Sequence, residues 1–131
     1  MAQIDKPNLH FNAVTYTGTG STQNITGVGF QPDLVWVKKR NNADDHNLVD
    51  AVRGVTKYLQ SNTNIAEATY AGNVSAFGTD GFTVGDGNQV NQNTHTFVSW
   101  NWKANGAGSS NSKIPIPSSG FCADVTAVVP K

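Results

Sequence analysis

A carboxylate-pair hydrolase needs two acidic groups in differently tuned environments. This chain holds one glutamate, Glu67, in a polar stretch, and most of its aspartates stand in turn-like contexts. Asp80, in "TDG", reads as a turn-former. Asp86, in "GDGN", is a candidate calcium ligand, but the dense ligand spacing of a calcium loop is missing around it. His10, His46 and His95 are far apart in sequence and none belongs to an HxxxH pair. His46 and Asp50 are spaced to orient one another, yet no serine or cysteine completes a nucleophilic triad. "GTGSTQ" has the glycines of a phosphate loop without its lysine or the dinucleotide-binding spacing, so it reads as a turn. The expectation is a protein that is not an enzyme and holds no cofactor or metal.

The aromatic residues carry more information. Trp36, Trp100 and Trp102 lie in apolar, strand-like runs, which assigns them to the core ahead of a sugar-stacking platform. Tyr16, Tyr58 and Tyr70, backed by Asn-rich loops, are the better candidates for a carbohydrate site. Cys122 is a lone cysteine between Phe121 and Ala123 and makes no internal disulfide. It reads as a small buried or interface residue.

The elements that would position these groups follow from composition and alternation. With 131 residues, one domain with one core is expected. Charged residues are 14% of the chain, against about 25% in typical soluble domains. Asn, Thr, Ser, Gln and Gly replace them, a mixture suited to pleated strands and turns rather than exposed helices. Hydrophobic content of 37%, with three Trp and six Phe, separates it from a disordered polar chain.

Net charge is zero, so nothing drives general nucleic-acid binding. Lys38-Lys39-Arg40 is followed at once by Asp44-Asp45 and reads as the solvated end of a strand. The N-terminal residues do not form a secretory signal, and no run reaches membrane-spanning length. The expectation is a soluble protein made in a cytoplasm, with no membrane and no nucleic-acid partner.

Strands are expected at residues 13–17, 22–30, 33–39 and near 94–104. "VSAFGTDGFTVG" reads as a β-hairpin. "DGNQVNQNTH" reads as a loop. Residues 48–52 and 55–59 read as two short strands joined at Arg53-Gly54, with a short helix as the alternative. In "DLVWVKK" both faces are apolar at the centre, the pattern of a strand covered on both sides or of one whose outer face is an interface. The fold class is therefore all-β, an antiparallel β-sandwich. Residues 1–12 form an N-terminal arm, 13–105 the body and 106–131 an extended C-terminal tail.

Four stretches in order, "YTGTGSTQNITGVGFQPDLVWVKKR", "LVDAVRGVTKYLQSNT", "SAFGTDGFTVG" and "TFVSWNWKANG", resemble a module of uncharacterised tailed-bacteriophage virion proteins. The resemblance covers about residues 14 to 106. It implies a β-sandwich of jelly-roll or lectin-like character and a place on the virion. It carries no catalytic residues. The family pattern has Cys between its two closing tryptophans where this chain has Asn101.

Two functions then compete. One is a capsid decoration, or cement, protein on the outside of the head, bound to the major capsid protein. It would be a homo-oligomer, a trimer in keeping with the threefold sites of capsid lattices. Its arms would reach partners through Ile4, Leu9 and Phe11 at one end and Ile114, Ile116 and Phe121 at the other. The alternative is a tail-fibre-associated, carbohydrate-binding receptor-recognition module.

Overall fold

Val35 and Val37 are two residues apart, so they leave their strand on the same side, and both are fully buried. That side is where two antiparallel sheets meet. The computed structural model describes residues 6–104. They form nine strands: β1 (Phe11–Thr17), β2 (Gln23–Ile25), β3 (Leu34–Lys39), β4 (Asn47–Asp50), β5 (Lys57–Tyr58), β6 (Ala68–Thr69), β7 (Val74–Gly78), β8 (Gly81–Val84) and β9 (Thr96–Trp102). A four-stranded sheet has the order β1-β9-β3-β4, a three-stranded sheet the order β2-β8-β7, and β5 pairs with β6.

The core lies between the two larger sheets. Val35, Val37, Val49 and Phe97 come from the first, and Ile25, Val74, Phe82 and Val84 from the second, with Val90 closing one end. Tyr16 stacks on Phe97, ring centroids 5.2 Å apart, and presents an edge to Phe82 at 6.4 Å. Its hydroxyl donates to the Val90 carbonyl at 2.6 Å, so the ring is buried without an orphaned polar atom. The fold is an all-β, sandwich-like arrangement of antiparallel sheets, as the composition and alternation lead one to expect.

The hairpin of β7 and β8 forms where the sequence places it, with Thr79-Asp80 as its turn. Asp80 does more than shape that turn. Its carboxylate accepts from the backbone N–H groups of Gly27 (3.0 Å) and Gly29 (2.6 Å), tying the hairpin tip to the loop after β2. Both glycines have left-handed φ, 87° and 86°, which turns their N–H groups toward one acceptor. These two bonds hold the Asp80 carboxyl below its ordinary range.

Other boundaries differ from the sequence expectation. β1 begins at Phe11, two residues inside the segment assigned to the arm, because Phe11 pairs with Trp102 across the sheet. Before it, Pro7–Leu9 form a single 3-10 turn rather than extended chain. β2 stops at Ile25, where the Asp80-bound glycine loop takes over. Residues 48–59 are strand–turn–strand, not helix, but the strands are shorter than expected: Asp50 caps the turn by accepting from the Val52 and Arg53 N–H groups at 3.1 and 2.8 Å. The polar segment 88–91 forms a helical turn, α1 (Asn88–Asn91), not open loop. Apolar periodicity missed it because Val90 is its one apolar residue; the other buried side chain is Asn91.

Candidate functional site

The register of the four-stranded sheet decides which residues reach its two faces. On the inner face the cross-strand rows are Asn12–Asn101–Val35–Val49 and Val14–Ser99–Val37–Asn47. On the outer face they are Phe11–Trp102–Leu34–Asp50 and Ala13–Trp100–Trp36–Leu48. All three tryptophans therefore point away from the second sheet and are half-buried only by one another and by their neighbours. Trp36 and Trp100 lie 5.3 Å apart, centroid to centroid, tilted by 55°; Phe11 and Trp102 lie 5.1 Å apart, tilted by 53°. This corrects the assignment of the tryptophans to the core, and with it the idea that both faces of β3 fill the sandwich. Only the Val35 and Val37 face does.

The inner face accepts polar residues because loops, not strands, cover parts of it. Backbone groups of a covering loop need partners. Asn12 donates to the Val28 carbonyl at 3.0 Å, and Asn101, fully buried, donates to the Asn12 carbonyl (3.0 Å) and the Ser99 hydroxyl (3.1 Å). Asn47 accepts from Asn73 at 2.7 Å and donates to Gln89 at 3.1 Å. An apolar side chain in place of Asn12 would leave the Val28 carbonyl without this donor, and one in place of Asn47 would strand the Asn73 amide.

The candidate chemical groups scatter. His46 does not meet Asp50. Its Nδ1 accepts from the Trp36 indole N–H at 3.2 Å, and partial burial together with the Lys38 charge lowers its pKa from the ordinary 6.5. Asp50 instead binds Arg53, whose Nε donates at 2.5 Å. Partial burial opposes ionisation of Asp50, but the Arg53 backbone N–H and guanidinium prevail and hold its pKa down. Arg53 also donates to Glu67 at 3.1 Å and to the Leu48 carbonyl at 3.1 Å, so the one glutamate is spent on bracing a turn. Lys39 is not at a solvated strand end. It is 2% exposed, paired with Asp44 and donating to Gln92 at 2.7 Å. No group of three His, Cys, Asp or Glu side chains able to hold a metal occurs among the described residues, and no helix there is long and apolar enough to cross a membrane.

Of the six residues proposed to meet a partner, Leu9 and Phe11 are described, at 47% and 41% exposure. Phe11 belongs to the outer aromatic face. Ile4, Ile114, Ile116 and Phe121, like Cys122 and the tail beyond residue 104, lie outside the described residues.

Two of the three tyrosines singled out as sugar-site candidates come together. Tyr58 and Tyr70 line a cleft of about 270 Å³ with Asn73, Asn88, Gln89 and Val90. The Tyr70 hydroxyl donates to Asp86 at 3.3 Å, and the Asp86 charge raises the tyrosine's pKa. Gly72 lies beneath that pair: a Cβ there would sit 2.2 Å from Asp86 Oδ1 and 2.6 Å from the Tyr70 ring. Tyr16 packs against the core and does not line the cleft, and burial pushes its pKa up. Sequence reasoning passed over Gln89 because its helical turn gave no periodic signal.

No curated protein and no solved structure matches the chain significantly. A family model does, over residues 6–127, which takes in both the described body and most of the tail. The chain belongs to that family, a domain of unknown function (DUF7483).

Proposed function

We propose that the protein is a structural component of a tailed-bacteriophage virion, a capsid decoration protein that binds the outside of the head and stabilises the lattice. The observation that supports this most is the outer face of the four-stranded sheet. Phe11, Leu34, Trp36, Leu48, Trp100 and Trp102 are contiguous there, and none of them joins the core. Contiguous aromatic surface of this kind marks an interaction site. The absence of a stand-out nucleophile with its base in the sequence, and the spending of Glu67, Asp50 and Asp44 on structural pairs, fit a binding role.

In this reading the outer face docks on the major capsid protein. Phe11 sits at its edge, on the strand that the Pro7–Leu9 turn leads into. Copies associate as trimers at threefold positions, which multiplies a modest contact. Binding the assembled shell and not its free subunits stabilises the shell by mass action. The phage assignment rests on the resemblance of the four sequence stretches.

The test is copy number in purified particles, by quantitative mass spectrometry against the major capsid protein. Hundreds of copies are expected. A few dozen or fewer would favour the second reading, a tail-associated carbohydrate-binding module, which draws on the Tyr58–Tyr70 cleft.

A further inference from the structure

The cleft between Tyr58 and Tyr70 carries an inference independent of where on a particle the protein sits, and it makes the carbohydrate reading specific. We infer that this cleft binds a neutral saccharide, with the Tyr70 ring as the stacking surface and the Asn88 and Gln89 amides and the Tyr58 hydroxyl as hydroxyl readers.

The argument starts from which polar groups are already committed. Gln89 uses its side-chain oxygen to accept from Asn47 (3.1 Å) and Gln60 (3.4 Å), which leaves its NH₂ unpaired by any described residue. The Asn88 amide and the Tyr58 hydroxyl likewise have no partner among the described residues. The anchoring of Gln89 by Asn47, itself bonded to the buried Asn73, holds that unpaired donor at a fixed place. An unpaired donor held by its neighbours is pre-organised and loses little entropy on binding.

Tyr70 is 48% exposed, although its backbone is pinned on both sides: its N–H donates to the Thr56 carbonyl (2.9 Å) and its carbonyl accepts from Asn73 (3.1 Å). Its hydroxyl is held by Asp86. The ring is therefore both open to solvent and fixed, which is what a stacking surface requires.

Ligand class follows from complementarity. Saccharide hydroxyls both donate and accept, and amides and a phenol between them answer both. An anionic ligand would find no Lys or Arg in the lining, and the Asp86 carboxylate stands just behind it, 3.3 Å from the Tyr70 hydroxyl. An ammonium-type cation brings donors only and would leave the Asn88 and Gln89 N–H groups unanswered. A wholly apolar ligand would bury all of these polar groups without partners. The cleft shares no residue with the aromatic outer face, so a copy docked through that face keeps the cleft open.

The experiment applies the full chain to an array of neutral and anionic oligosaccharides, then measures the best neutral binder by saturation-transfer NMR and titration. A neutral saccharide should bind. Tyr70→Ala should weaken it about tenfold, and Asn88→Ala, an exposed residue outside the protein's own hydrogen bonding, about fivefold with an unchanged Tm. Trp100→Ala, on the other face, should leave affinity unchanged. An array with no neutral binder, binding confined to anionic glycans, or affinity indifferent to both cleft substitutions overturns the inference. Copy number on the particle plays no part in the outcome, so failure here is distinguishable from failure of the decoration reading.

Discussion

Trp36 on β3 and Trp100 on β9 are cross-strand partners with ring centroids 5.3 Å apart, on the side of their sheet that faces away from the core. Side chains directly opposite on antiparallel strands interact, and aromatic pairs do so strongly. Here the pair builds surface, because the second sheet packs against the opposite side.

Replacing Trp100 by Lys should therefore cost the isolated protein only about 1 kcal/mol, the scale of one aromatic pair. If the outer face docks on the capsid as proposed, it should also abolish attachment to particles stripped of their own copy, measured by co-sedimentation. Loss of folding comparable to that of a core substitution would show that the face belongs to the core after all.

The Lys39–Asp44 pair predicts the reverse, a large structural effect with no change of surface apolarity. Asp44→Ala leaves a lysine that is 2% exposed with Gln92 as its remaining side-chain partner. Breaking a buried pair from one side costs on the order of 3 kcal/mol, measurable by urea denaturation. Lys39→Met in the same background should recover much of the loss, since it removes the stranded charge.

Tyr16→Phe keeps the stack on Phe97 but removes the hydroxyl that donates to the Val90 carbonyl. An orphaned buried acceptor costs about 1–3 kcal/mol. The urea midpoint should fall while the m-value stays constant, because the surface exposed on unfolding hardly changes.

His46 makes the outer face sensitive to acid. Its folded pKa is lowered from 6.5, so between that lowered value and 6.5 the unfolded chain binds the proton and the folded chain does not. The stability it contributes is complete above pH 6.5 and is lost as pH falls through the folded pKa. Protonation at Nδ1 also breaks the bond from the Trp36 indole. Tryptophan fluorescence should titrate with a midpoint below 6.5, and His46→Gln should remove that transition.

Asp80 and Asp50 set a second, more acidic limit. Both are held below the ordinary 3.8, Asp80 by the Gly27 and Gly29 N–H groups and Asp50 by Arg53 against its partial burial. Their contribution is complete above that value and is lost as pH falls through the lowered ones. Asp80→Asn should lower Tm at neutral pH and flatten its decline below about pH 4. An unchanged acid limb would show that the hairpin tip does not depend on the carboxylate charge.

Alternation along the chain was enough to locate most strands, because a period of two is a local property of extended backbone. β3, β9 and the β7–β8 hairpin lie where "DLVWVKK", "THTFVSWNWKA" and "VSAFGTDGFTVG" put them. The same alternation showed that Trp100 and Trp102 share one face while Ser99 and Asn101 share the other.

Which of those faces became the interior was a tertiary decision. Hydrophobicity favoured the tryptophan face. The second sheet and its loops instead cover the face of Val35, Val37, Ser99 and Asn101, where the Asn12 amide satisfies the Val28 carbonyl of the covering loop and Asn101 bonds back to the Asn12 carbonyl of β1. A strand's own sequence holds no record of the loop that will cross it, so the burial of Asn101 and Lys39 was not legible. The meeting of Tyr58 with Tyr70 and Gln89 was equally non-local, since it depends on Gly72 admitting Asp86 and Tyr70 above it. Sequence alone determined most of the strands and their pairs of faces; packing between distant segments chose the core face and assembled the cleft.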